Sequence, residues 1–113
     1  RVHNSGHYTI EACQCSQFEN HVRAVLGWPL GSPAMLAPAA VMVNLLGPGK
    51  APGQPRGLEN VLGMTGARVH IYGKAMSGVG RKMGHITVLG NSLEAALAIA
   101  ERAAKEIYFG TKA

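Results

Sequence analysis

Residues 91–109 are the one stretch of this chain that reads as a long regular element. Asn91 stands at a capping position, with Glu94 three residues on. Leu93, Leu97, Ala100, Ala104 and Ile107 recur at helical spacing, and Glu101 and Lys105 sit at i, i+4 in the favourable order. Gly110 follows as a stop. An amphipathic helix cannot bury its apolar stripe against itself, so the rest of the chain must supply a partner layer. The alanine-rich face suits close packing on a sheet. Nothing in the helix points to catalysis, and its expected role is structural.

The strands of that sheet are legible upstream. Residues 40–46 form a compact apolar run whose length and β-branched content favour a buried strand, and Asn44 inside it needs a hydrogen-bond partner. Residues 68–72 alternate, with Val69 and Ile71 opposite His70 and Tyr72; residues 84–89 alternate too, with Ile86 and Val88 opposite His85 and Thr87. A glycine-broken loop over 73–83 joins these two as an antiparallel pair. Earlier still, Ser16 with Glu19 opens a second, shorter helix carrying Phe18, Val22, Val25 and Leu26 on one face, with Gly27 and Trp28-Pro29 ending it. His21 and Arg23 fall on its solvated side. Residues 1–15 read as extended or loop, 31–40 as a turn-rich connection, and 58–62 as a helical turn. The run over 47–57, with four glycines and three prolines, predicts a mobile surface loop. It holds Lys50 and Arg56 but lacks the Gly-Lys-Ser/Thr of a phosphate-cradling loop. The expected fold is α+β: a small antiparallel, barrel- or sandwich-like sheet with a C-terminal helix, preceded by a short helix.

The 113 residues suit one modest core. The net charge is +5, all six acids are Glu and there is no Asp, a balance that favours an anionic partner. A nucleic-acid-binding module is one reading of that charge. It is disfavoured because Tyr8, Phe18, Trp28, Tyr72, Tyr108 and Phe109 are scattered rather than interleaved with the cations. No apolar run reaches the ~18 residues of a membrane span, and no secretory signal is present. Cys13 and Cys15 read as two reduced thiols, which fits a cytoplasmic setting.

Two groups of reactive side chains stand out: Arg1, His3, Asn4 and His7 at the start, and Lys74, Arg81, Lys82 and His85 around the 73–83 loop. A Lys and an Arg flanking one loop can converge on a phosphate, the Arg as a planar fork and the Lys as a movable point charge. A Ser5-His hydrolase lacks an Asp and a nucleophile elbow, and His3, His7 and Cys13 match no strong metal spacing. Chemistry packed against the first residue predicts that the chain is cut from a larger enzyme, with Arg1 near the cut.

The sequence resembles N5-carboxyaminoimidazole ribonucleotide synthetase, the ATP-grasp subunit of aminoimidazole ribonucleotide carboxylation. Five ordered blocks carry the resemblance. They are Arg-Val-His-Asn-Ser-Gly-His-Tyr-Thr at 1–9, Ser-Gln-Phe-Glu-Asn-His-Val-Arg-Ala-Val-Leu-Gly at 16–27 and Val-Asn-Leu-Leu-Gly at 43–47, followed by His-Ile-Tyr-Gly-Lys at 70–74 and Gly-Arg-Lys-Met-Gly-His at 80–85. The resemblance implies MgATP-driven activation of bicarbonate to carboxyphosphate and transfer of the carboxyl group to aminoimidazole ribonucleotide. It implies that Arg1 lies beside bicarbonate and the γ-phosphate, that His3 and Asn4 line the same pocket, and that Lys74 and Arg81 hold the ribonucleotide 5′-phosphate, with Lys82 and His85 as weaker transfers. It further implies that residues 1–30 end the ATP-grasp domain and 31–113 form the C-terminal lobe. The family's ATP-binding lobes and Mg-binding glutamates would lie upstream of Arg1, so the fragment alone is expected to be inactive. The intact protein is expected to be a homodimer, and in fungi and plants a carboxylase/mutase domain would follow Ala113. A closing lobe of another ATP-grasp carboxylase is the nearest rival.

Overall fold

The computed structural model describes residues 1–110. The sequence begins with a 3₁₀ turn at Asn4–Gly6 and two helices, α1 (Thr9–Ala12) and α2 (Gln17–Val25). Strand β1 (Ala39–Leu46), two short strands β2 (Ala51–Pro52) and β3 (Pro55–Arg56), and the turn α3 (Glu59–Leu62) follow. The chain then runs through β4 (Ala67–Ile71), β5 (Met76–Ser77), β6 (Lys82–Gly90), α4 (Leu93–Glu106) and β7 (Tyr108–Phe109). The first fifteen residues, expected as loop, thus contain two helical turns. No helix among the described residues is long and apolar enough to cross a membrane.

The principal sheet has the order β1-β6-β4, with both pairs antiparallel. Two two-stranded ribbons, β2–β5 and β3–β7, flank it. The sheets stay open and no barrel closes. β6 carries a bulge: Leu45 pairs with Gly84 but Leu46 pairs with Lys82, leaving Met83 as the extra residue. On one face α4 packs down, and Leu45, Met83, Ile86 and Val88 meet Ala96, Ala100 and Ala103 in a core completed by Val61, Ile107 and Phe109.

Of the stripe read from the sequence, Ala100 and Ile107 are buried and Ala104 packs against the core, but its two leucines are not part of the buried arc. Leu93 and Leu97 are exposed, Leu93 by 63%, while the fully buried positions are alanines. Small side chains let the helix lie close to the strands, and a Cβ on Gly90 would already press on Ala96. The cap also differs: Ser92, in an extended conformation, accepts the Ala95 N–H, so Ser92 and not Asn91 opens α4. For α2, Ser16 Oγ does accept the Glu19 N–H. Its apolar side chains, however, face outward, with Val25 73% exposed and Val22, Leu26, Trp28 and Leu30 uncovered beside it.

The run over 47–57 is held rather than mobile. Ala51 and Pro52 pair with Ser77 and Met76, and Pro55 and Arg56 with Phe109 and Tyr108. Both prolines lie in two-stranded ribbons, which have no central strand to disrupt. The glycines permit close backbone approach, since a Cβ on Gly53 would run into the Lys74 carbonyl and one on Gly57 into that of Glu106.

Candidate functional site

The second face of the sheet carries the candidate site. Cross-strand register places Asn44, His85 and His70 in one row over β1, β6 and β4, because Asn44 and His70 both pair with His85. Side chains directly opposite in a sheet share a face, so this row follows from the backbone alone. The alternation in β6 sets His85 and Thr87 on the side opposite Ile86 and Val88 but does not say what covers them. Both are buried, covered by the N-terminal segment that packs α1 against β6.

His85 is the hub. Its ring stacks on His70 at 4.5 Å between centroids, and its Nδ1 lies 2.8 Å from the Tyr72 hydroxyl. The ring of His7, from the opening segment, approaches to 5.5 Å. Burial, followed by the neighbouring imidazoles of His70 and His7, pushes His85 down to about 4, so it is neutral near pH 7. Burial also lowers His7, with Lys82, His3 and His70 adding repulsion to its charged form. Burial raises Tyr72. Glu11, from α1, sets both carboxylate oxygens against His70 Nε2 at 2.9 and 3.0 Å, which fixes the hydrogen on that nitrogen.

The structure brings parts of the two predicted groups together through His7, Lys82 and His85. Within the second group, Lys74 Nζ donates to the Lys82 carbonyl at 2.5 Å and lies 5.7 Å from the Tyr72 ring centroid. Arg81 is exposed on the adjoining turn, its N–H donating to Gly78 O and its carbonyl accepting from Gly47. In the first group, His3 caps the 3₁₀ turn, its Nδ1 accepting the Ser5 N–H. Asn4 lines a groove of about 600 Å³ with Ser5, Tyr8, Met35, Met42 and Asn44, whereas Arg1 lines another with Gln17, Asn20 and His21.

Sequence reasoning gave Glu11, Gln17 and Tyr72 no role. His70 and Tyr72 were recoverable, because both sit on the polar side of a strand paired with the one that carries His85. Asn44 Oδ1, His85 Nε2 and Thr87 Oγ1 are buried polar atoms without a protein partner among the described residues, so the layer beneath the opening segment holds hydrogen-bonding capacity that the packed side chains do not meet. Glu11, His70 and His85 also present one ligand atom each within 4.8 Å. That nitrogen-rich set does not suit Mg²⁺, which prefers oxygen ligands. Glu19 is engaged by Arg23 and Cys15, whose thiol is raised by burial and then by Glu19.

The sequence profile of the phosphoribosylaminoimidazole carboxylase C-terminal domain matches residues 40–99, just over half of the chain. The chain belongs to this family. The matched stretch begins in β1 and ends within α4, so it takes in β4, β6 and all of β1 but its first residue. An N5-carboxyaminoimidazole ribonucleotide synthase from Mycobacterium bovis is 44% identical over 113 residues, covering 97% of this chain and 26% of its own length. The crystal structure of N5-carboxyaminoimidazole ribonucleotide synthetase from Thermotoga maritima matches with a TM-score of 0.88 at 49% identity, over 97% of this chain and 31% of that one. That of N5-carboxyaminoimidazole synthase from Aspergillus clavatus, in complex with ADP and 5-aminoimidazole ribonucleotide, matches with a TM-score of 0.78 at 41% identity, over 91% and 28%. The chain spans 17–26% of the length of the first curated relatives it matches.

Proposed function

We propose that this chain is the C-terminal part of an N5-carboxyaminoimidazole ribonucleotide synthetase. The intact enzyme uses ATP and bicarbonate to carboxylate 5-aminoimidazole ribonucleotide through carboxyphosphate. Residues 1–30 close the ATP-grasp domain and 31–113 form the C-terminal lobe, with 111–113 outside the described residues. Arg1, His3 and Asn4 serve the bicarbonate and γ-phosphate end. Lys74, Arg81 and Lys82 serve the ribonucleotide phosphate. Both assignments fit the chemistry, since guanidinium and ammonium groups stabilise charge on phosphoryl and carboxyphosphate oxygens.

The observation that carries this reading is the meeting of the opening segment with β6. His7 lies against His85 and within the field of Lys82, so blocks distant in sequence share one face. The Aspergillus relative, whose crystal structure holds ADP and 5-aminoimidazole ribonucleotide, supports the ligand choice. Mg²⁺ bound with ATP would be held by residues outside this chain, and the two glutamates of the opening segments, Glu11 and Glu19, are engaged by His70 and Arg23. The enzyme is cytoplasmic and homodimeric in this reading, and in some organisms it is fused to a mutase domain. In the intact synthetase, Lys74→Ala and Arg81→Ala raise KM for the ribonucleotide by roughly tenfold or more, the cost of losing a charge-assisted hydrogen bond. An unchanged ribonucleotide KM in both variants rules the phosphate assignment out.

A further inference from the structure

Gln17 sits between the two imidazoles of the opening segment, and backbone atoms settle which way its amide faces. The His3 N–H can only donate, so the atom 3.0 Å from it is Oε1. The His3 carbonyl can only accept, so the atom 2.7 Å from it is Nε2. The other hydrogen of Nε2 is then aimed at His7 Nδ1, 2.8 Å away. His7 Nδ1 has to accept, which leaves the imidazole proton on its Nε2. An imidazolium would put a second donor opposite Gln17 and break this bond.

The amide is itself held in place. The Gln17 N–H donates to Thr9 Oγ1 at 2.9 Å, and the Thr9 hydroxyl donates to Gly6 O at 2.6 Å. Residue 6 has no side chain to obstruct it, since a Cβ there would run into Gln17 Oε1. Burial and the titratable groups packed on His7 disfavour positive charge on it. Lys82 and His85 face it from β6, His70 from β4, His3 from its own segment, and the Phe18 ring from α2 at 5.2 Å. Glu11, the nearby acid, is occupied by His70.

We propose that Gln17 is a positioning residue that fixes His7 as the neutral Nε2–H tautomer, a hydrogen-bond donor to an anionic oxygen and not a base. The role of that donor rests on the functional reading above. The oxygen it suits is that of a carboxylate or of carboxyphosphate at the bicarbonate end of the site.

Long-range ¹H–¹⁵N histidine spectra of the intact synthetase, with His7→Gln as the assignment control, test the tautomer directly. Nδ1 of His7 is expected to resonate as unprotonated and Nε2 as protonated through neutral pH. Gln17→Glu replaces the donor with an acceptor, so the His7 titration midpoint rises by about one unit or more. In the same variant, kcat/KM for bicarbonate falls by about tenfold or more while KM for the ribonucleotide holds. A protonated Nδ1 in the wild type, or an unmoved midpoint in Gln17→Glu, overturns the proposal. Should the variant fail to fold, the wild-type spectrum still decides. The expected spectrum in a wild-type protein that does not carboxylate the ribonucleotide would sink the functional reading and leave the tautomer standing.

Discussion

Acidification should unfold this protein through His85 before its carboxylates titrate. His85 is 1% exposed and is held down from the ordinary 6.5 to about 4. In the unfolded chain it takes a proton near 6.5, while in the folded state it resists until about 4. Between those values the unfolded state binds more protons, so stability falls as the pH drops through this window and levels off below it. A drop of about 2.5 pH units at roughly 1.36 kcal/mol each is worth about 3 kcal/mol. That is a large fraction of the roughly 5–15 kcal/mol that keeps a domain folded. His7 is lowered too and titrates in the same direction, so the comparison has to be between proteins that share it. Urea denaturation of wild type and His85→Gln at pH 7 and pH 4 isolates the term: the wild type should lose about 3 kcal/mol more than the variant. Parallel losses in the two proteins, or an NMR midpoint for His85 near 6.5, would refute the argument.

Two further outcomes test the helix and the ribbons. Ser92→Ala should cost about 1 kcal/mol by urea denaturation, whereas Asn91→Ala should cost little, because the cap hydrogen bond to Ala95 belongs to Ser92. Gly53→Ala drives a methyl group into the Lys74 carbonyl, parting β2 from β5 and displacing the Lys74 ammonium. It should lower the melting temperature and raise KM for the ribonucleotide in the intact synthetase, and an unchanged value for both would show that the close approach does not matter.

The strands were legible because periodicity reports which side chains leave a backbone together. Val69 and Ile71 against His70 and Tyr72 placed β4 to within a residue or two, and the same pattern found β6. Periodicity does not say whether the polar side meets water. For β6 it meets the opening segment, so His85 and Thr87 are buried although they alternate like surface residues. The error in α4 has a related origin. The alanine-rich face was expected to pack closely on the sheet, but Leu93 and Leu97 were read into the same stripe; the helix lies so close that Ala96, Ala100 and Ala103 fill the contact, and Leu93 and Leu97 are left exposed. Lys74, Arg81 and Lys82 were singled out as phosphate ligands from their glycine-rich surroundings and from the resemblance, and that assignment is the proposal made above. Glu11 and Gln17 were missed because their partners lie 59 and 10–14 residues away.

The site separates two kinds of nitrogen. The permanent cations Lys82 and Arg81 are exposed, so water screens them when no anion is bound. The imidazoles of His7 and His85 lie inward, and their neighbours oppose their protonation. Were all of them charged, the face would repel itself, and the chain has little acid to offset it: six Glu against eleven Lys and Arg, with no Asp. A neutral His7 instead offers a hydrogen-bond donor without added charge, and a neutral His85 beneath it adds none. Under the proposed function, an arriving phosphate or carboxylate is attracted by these cations and oriented by dipoles already in place, which avoids reorganisation as charge develops. On this argument the acid-poor composition and the low protonation of His7 and His85 are two sides of one design, and adding a carboxylate beside His7 should weaken anion binding even where it relieves repulsion in the free protein.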